Sequence, residues 1–496
     1  MVMPQFGYQF MGNIKFLYPE IILSGTLLVL ILLDIIFKKR AKWLLVSVSI
    51  IGLAVSLYSV NQHAYGQTTL MFGAVVFDRT AAFFKTLFAI VGILSVVILM
   101  SSSEVDDEHI GEYLVLLFGA TVGMYLLASA NDLVMFFLAF ETVSLPSYAL
   151  SGLARNSERS REAALKYLIF GAVSSGIMLF GIVMLAGMLG STNFEALRDA
   201  YSRSAFTPGS MLVIVGLIVA GLAFKISAVP FHMWAPDVYE GSPTPVTAFF
   251  SVAPKAAGFA AVLRLFYTIF NSDQNMSVGF INSPEWYVLW GALSVVTMTL
   301  GNLAAIPQNN IKRLLAYSSI SHVGYMLIGF MVTTSEGIVS ILFYLSIYAI
   351  MNIGAFYIAI LFRESIGTED INEYKGIGWR MPFLSVAFAV FLLSLVGIPP
   401  FAGFAAKLVL FASAIHRGFY LIVLIAVLNS VVSLYYYAGI IRKMFLEQPD
   451  KIAVLRKPAG GFLPYFIVLI LLAPIIVIGI NWNLLFKWIL HIVGAM

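Results

Sequence analysis

The chain has 496 residues, 60% of them hydrophobic and only 11% charged, with a mean hydropathy of +0.93, a balance that a soluble domain could not cover with polar surface. It reads as an all-α polytopic membrane protein with no room for a soluble domain. The net charge of +4 calls for no nucleic-acid partner, and the lack of cysteine excludes disulfides, thiolate-held iron–sulfur clusters and cysteine redox chemistry in this chain.

Apolar runs of about twenty residues, the length a helix needs to cross roughly 30 Å of hydrocarbon, recur throughout. They lie near residues 16–37, 43–60, 81–100, 112–129, 132–152, 167–190 and 211–233, and then near 245–270, 286–305, 314–333, 338–362, 382–416, 420–441 and 462–481. That predicts about 14 transmembrane helices. The first run is too long for a signal-peptide core and is followed by "KKRAK", so it is expected to stay in the mature protein as a span. Lys and Arg gather in the segments 38–42, 155–166, 310–313, 363–380 and 442–457, which the positive-inside rule makes cytoplasmic, with both termini outside. The acidic loop "SSSEVDDEHIGE" reads as a solvated connection.

Two spans are irregular. The run 211–233 carries Pro230 and passes into "PDVYEGSPTP", and the run 382–416 exceeds one span and contains "GIPPFAGFAAK". Interior proline removes a backbone hydrogen bond and clashes with the preceding turn, so both helices are expected to break. A lysine accompanies each break, and five spans separate them, a recurrence that suggests two structural repeats.

An ionised group at mid-bilayer costs at least ~2.5 kcal/mol, which makes each intramembrane charge a functional candidate. Glu141 stands centrally in "NDLVMFFLAFETVSLPSYAL"; it could take or release a proton according to its partner. Lys225 lies in the first broken helix, Lys255 follows Pro254 in the next span, and Lys407 follows the second break. Burial disfavours an ammonium, so these lysines could relay protons. His322 falls mid-span among Ser318, Ser319, Ser321 and Tyr325, a polar stripe that could order water, while a satisfied core histidine is the alternative. His232 could sit at a cytoplasmic mouth, and Lys166 could feed protons inward from the start of its helix. Lys85 is expected to snorkel from a span end, Asp34 to be interfacial and Arg264 to lie near the outer end of its span. No His, Asp and Glu group has metal-ligand spacing, and no phosphate-cradling loop or nucleophile–base motif is present.

The stretches "GLAFKISAVPFHMWAPDVYEGSPTPVTAFF", "APKAAGFAAVLRL", "GNLAAIPQNNIKRLLAYSSISHVGYMLIG", "SREAALKY" and "SLVGIPPFAGFAAKLVLF" closely resemble the antiporter-like N subunits of proton-translocating NADH-quinone oxidoreductase, respiratory complex I. The likeness covers roughly residues 110–445. It implies two inverted five-helix repeats with discontinuous helices 7 and 12. The repeats would span 112–270 and 286–445, with helices 1–3 in 1–111 and helix 14 and a tail in 446–496. It further implies proton transfer through Glu141, Lys225, Lys255 and Lys407, with His322 in the polar helix 10 region; on the residues' own reading, His322, Lys166, His232, Ser318 and Tyr325 are possible relays. No cofactor is expected in this chain; FMN, iron–sulfur clusters and quinone would belong to partner subunits. The partners implied are other antiporter-like and small helical membrane-arm subunits in a bacterial plasma membrane, an organellar membrane being the alternative. Mrp-type cation/proton antiporter subunits share the broken helices and lysines, and a scaffold role for the charges is a further competitor.

Overall fold

A computed structural model describes residues 13–37, 42–64, 66–203, 208–270, 280–449 and 461–493. Its spans, numbered in chain order, are 1 (Tyr18–Phe37), 2 (Lys42–His63), 3 (Arg79–Leu99), 4 (Ile110–Ala128), 5 (Leu133–Ser151), 6 (Glu158–Leu189) and the split span 7a (Pro208–Ile226) and 7b (Trp234–Gly241). Then come 8 (Thr244–Ile269), 9 (Pro284–Ala305), 10 (Ile311–Val332), 11 (Ser335–Ile366), split 12a (Pro382–Val396) and 12b (Ala402–His416), 13 (Tyr420–Leu446) and 14 (Leu463–Ile480). Thirteen helices among the described residues are long and apolar enough to cross a membrane, and the divided span 12 makes the expected fourteenth. Lys38, Lys39, Arg40, Lys451, Arg456 and Lys457, which bear on the chain's orientation, lie outside the described residues.

Most helix starts are written locally. The Asp132 side chain accepts from Val134 N–H at 2.8 Å, and Asn310 accepts from Lys312 N–H at 2.9 Å, each satisfying donors that a helix start leaves free. Span 6 begins nine residues earlier than its hydropathy suggested, because Ser157 caps it and "ERSREAALK" is polar but strongly helix-forming. Lys166 is consequently inside that helix rather than at its opening. Hydropathy also missed three small elements. These are a hairpin of β1 (Thr68–Leu70) and β2 (Val75–Phe77) and the short helices Phe194–Arg203 and Asn483–Val493.

Spans 8, 10 and 11 form the interior, buried along almost their whole length, whereas spans 1, 2, 9, 13 and 14 present Leu, Ile and Val outward to the hydrocarbon. Without a hydrophobic force between helices in lipid, close approach depends on small residues. Span 8 supplies them: a side chain at Gly258 would collide with Ile226 of span 7a and touch the Lys225 Cβ at 3.5 Å. The charged spans are thereby held side by side.

Candidate functional site

Both broken helices close in the same manner. At the end of span 7a, Ser227 takes φ +61, its N–H bonds the Phe224 carbonyl at 3.1 Å, and Ala228 N–H reaches the Ala223 carbonyl at 2.7 Å. At the end of span 12a, Gly397 takes φ +89, its N–H bonds Ser394 at 3.0 Å, and Ile398 N–H reaches Leu393 at 3.2 Å. A left-handed residue with this pair of backward bonds satisfies the last carbonyls of a helix, and Pro230 or Pro400 then stands where no helix can continue unbroken. At the first break Phe224 O also accepts from the Trp234 indole at 3.0 Å, and the freed Val229 N–H finds Thr297 Oγ1 as its acceptor at 3.1 Å.

Lys225, wholly buried, occupies the last turn of span 7a, where the helix dipole favours a cation. Its Nζ donates to Ser144 Oγ at 2.9 Å and lies 5.1 Å from the Phe140 ring centre. Ser144 is one turn beyond Glu141 on span 5, so the amine sits beside the glutamate's helix without forming an ion pair with it. The Glu141 Oε1 is buried with no hydrogen-bond partner.

Lys255 of span 8 donates to Ser319 Oγ on span 10 at 2.7 Å and lies 5.5 Å from the Tyr239 ring. One turn along span 10, His322 Nδ1 lies 2.7 Å from the Tyr344 hydroxyl, and its ring edge packs on Tyr325 with centroids 5.9 Å apart. The Tyr325 ring in turn carries the Lys407 Nζ at 4.5 Å. Lys407 donates to Val396 O at 2.7 Å, across the break, and to Ser430 Oγ at 3.0 Å. Asn302 donates to the Tyr325 hydroxyl at 3.0 Å and accepts from the Tyr436 hydroxyl, while Ser318 pairs with Tyr437. The stripe on span 10 is thus the bridge between the Lys255 and Lys407 environments.

Lys225, Lys255 and Lys407 are at most 5% exposed, and none of them forms an ion pair in the described residues. Hydroxyls, carbonyls and ring faces hold them instead, which leaves each amine without a compensating carboxylate at contact distance.

Other cations are bound differently. Lys85 does not snorkel: it is 1% exposed and 2.5 Å from Glu20 Oε1, because the partner arrives from span 1, far away in sequence. Lys166 pairs with Asp237 at 2.6 Å and Glu162 at 2.7 Å, and Arg313 meets Asp237 at 2.6 Å, so Lys166 belongs to an ion-pair network. Arg264 grips Asp78 bidentately at 2.5 and 2.8 Å. Burial pushes the Asp78 carboxyl up, but the Arg264 guanidinium and the Ala81 N–H outweigh it and hold it below the usual carboxylate range. His232 sits within the break of span 7 at 6% exposure, its Nδ1 unpartnered, rather than at an open mouth.

The acidic loop is no simple solvated connection. Its Glu104 is 8% exposed on the side chain, caps Thr244 N–H at the start of span 8, and pairs with Arg363 at 3.1 Å. Lys312 joins it at 4.0 Å and meets Glu369 at 2.8 Å. Nothing in the loop's own composition distinguishes Glu104 from its acidic neighbours; its partners come from spans 8, 10 and 11.

Residues 130–433 match the family described as the membrane-spanning part of NADH:quinone oxidoreductase and Mrp antiporters. NADH-quinone oxidoreductase subunit N of Chlorobium chlorochromatii is 44% identical over 443 residues, covering 88% of this chain and 86% of that one. A chain of respiratory complex I from Thermus thermophilus superposes with a TM-score of 0.78 at 30% identity, covering 95% of this chain and 98% of that one. A chain of the Mrp complex from Dietzia shares the fold, with a TM-score of 0.83 at 22% identity and 97% coverage of both.

Proposed function

The chain belongs to the NADH:quinone oxidoreductase/Mrp antiporter membrane family, and from that premise we propose that it is a proton-translocating membrane-arm subunit of an NADH-quinone oxidoreductase. It carries no redox step itself; FMN, iron–sulfur clusters and the quinone site are assigned to partner subunits, among them other antiporter-like and small helical chains. The membrane is taken to be a bacterial plasma membrane with both termini outside. The observation that carries the reading is the set of three buried lysines without ion-pair partners among the described residues, Lys225 held by Ser144 on span 5 and the Lys255 and Lys407 environments joined through Ser319, His322 and Tyr325.

In this reading, quinone reduction in a neighbouring subunit changes the charge at the Glu141 end. Glu141 and Lys225, on adjacent helices but unpaired, respond to that field because nothing closer fixes their charge. A proton leaving Lys225 moves toward Lys255 and through the span 10 stripe toward Lys407, with release on the outer side. The serine and tyrosine hydroxyls can each accept one hydrogen bond while donating another, as a relay requires.

The test is NADH-driven proton pumping in inverted vesicles carrying Lys225→Ala, with electron transfer and assembly on native gels followed together. Pumping is expected to be lost in an assembled complex. Normal pumping there would remove Lys225 from the path. Sodium-dependent exchange without NADH would favour the Mrp-type reading, whose fold this chain shares.

A further inference from the structure

Asn352, in the middle of span 11, is fully buried, and neither its Nδ2 nor its Oδ1 has a hydrogen-bond partner. An amide there has two donors and an acceptor to satisfy, and no bulk water can reach it. Its surroundings are set by its own helix. One turn before it, the Tyr348 hydroxyl donates to Ser251 O at 3.2 Å; one turn after it, the Phe356 ring meets Tyr239 with centroids 6.3 Å apart. Asn352 therefore faces spans 8 and 7b, on the side where Lys255 lies over the same Tyr239 ring. The Tyr239 hydroxyl points toward Ser319, the acceptor of Lys255, without a formed hydrogen bond.

Unpartnered polar atoms continue away from Lys255. The Ser242 and Thr244 hydroxyls, at the start of span 8, are also buried without partners. Ser242 lines a polar concavity of about 580 Å³ together with Glu104, Lys312 and Glu369. Buried polar groups in such a run are ordinarily satisfied by internal water, which needs two to four polar partners, roughly what these groups supply.

We propose that Asn352 is a positioning residue for proton transfer at Lys255, holding internal water that links the lysine to the concavity. This rests on the functional reading above. In the step itself, a water of the run gives a proton to the neutral Lys255 amine as its O–H bond breaks and an N–H bond forms. That water regains a proton from the next one toward the concavity, and the Lys255 ammonium passes its own proton on through the span 10 stripe. Glu104, Lys312 and Glu369 stand at the far end of the water run, and Asn352 stands at the near end.

The experiment compares Asn352→Leu, Asn352→Ser and Lys255→Met in the assembled complex. The readouts are NADH-driven pumping across a pH series and electron transfer. Leucine fills the same space without polar atoms and is expected to lower pumping at least about tenfold and to move its pH optimum. Serine leaves a hydroxyl and room for water, and is expected to pump within about threefold of the parent. A packing role predicts the opposite ranking, because the amide makes no protein hydrogen bond for leucine to break, whereas serine opens a cavity; that ranking overturns the proposal. Parental pumping by Asn352→Leu beside a dead Lys255→Met overturns the proposal alone, and parental pumping by Lys255→Met overturns the functional reading with it. Should Asn352→Leu fail to assemble, a high-resolution map of the unaltered complex decides: ordered water against Asn352 supports the proposal, and a dry contact sinks it.

Discussion

The two broken helices share a backbone and differ in who satisfies it. In span 7 a last-turn carbonyl, Phe224 O, accepts from both the Ser227 N–H and the Trp234 indole, and Lys225 turns away to Ser144. In span 12 the lysine itself covers the carbonyl: Lys407 reaches back eleven residues to Val396 O. Consecutive spans alternate in direction, so span 12 runs opposite to span 7. Lys225 before its break and Lys407 after its break therefore stand on the same side of the two interruptions. In the proposed reading, the difference means that one break separates its structural group from its proton carrier, whereas the other combines them in one side chain.

That contrast can be broken experimentally. The largest effect is expected from Lys407→Met, which should abolish pumping and also lower the thermal midpoint of the assembled complex, because Val396 O loses its donor at a cost of about 1–3 kcal/mol. Lys225→Met should abolish pumping with the midpoint nearly unchanged. Equal midpoint losses in the two variants would erase the distinction. Trp234→Phe should give the converse of Lys225→Met, a stability lowered by about 1 kcal/mol and hence a lower midpoint, with pumping largely kept, since the Ser227 N–H still reaches Phe224 O. A pumping loss without destabilisation would place Trp234 on the proton path instead.

The smallest effect sharpens the comparison of the closures. Ser227 holds the left-handed conformation that Gly397 holds in the other break, and its buried hydroxyl has no partner. Ser227→Gly removes both a backbone penalty of about 1–2 kcal/mol and an unsatisfied group, offset by added freedom in the unfolded chain. A stability gain of about 1 kcal/mol or less, read as a raised midpoint in a thermal ramp, is expected. A lowered midpoint would mean that the Ser227 hydroxyl is needed, and that the first break is not merely a costlier version of the second.

Much of this protein is legible in one dimension. Hydropathy gives the fourteen spans because lipid imposes the same length and apolarity on each, whatever its neighbours. Pro230 and Pro400 locate the breaks because proline's effect on a helix is local. Glu141, Lys225, Lys255 and Lys407 stand out because a charge within an apolar run is conspicuous without any knowledge of packing. The start of span 6 was misread where a helix leaves the hydrocarbon and its sequence turns polar.

Which charges are paired was decided by tertiary structure. Lys85, expected to snorkel from a span end, instead finds Glu20 at 2.5 Å, whereas Lys225 has Ser144 as its hydrogen-bond partner and no carboxylate at contact distance among the described residues. Glu104 looked like one acid among several until spans 8, 10 and 11 brought Thr244, Lys312 and Arg363 to it. The physical reason is that a helix shows its own composition in the sequence, but the field at a buried atom comes from side chains on other helices. Packing alone brings those within the few ångströms over which charge is compensated.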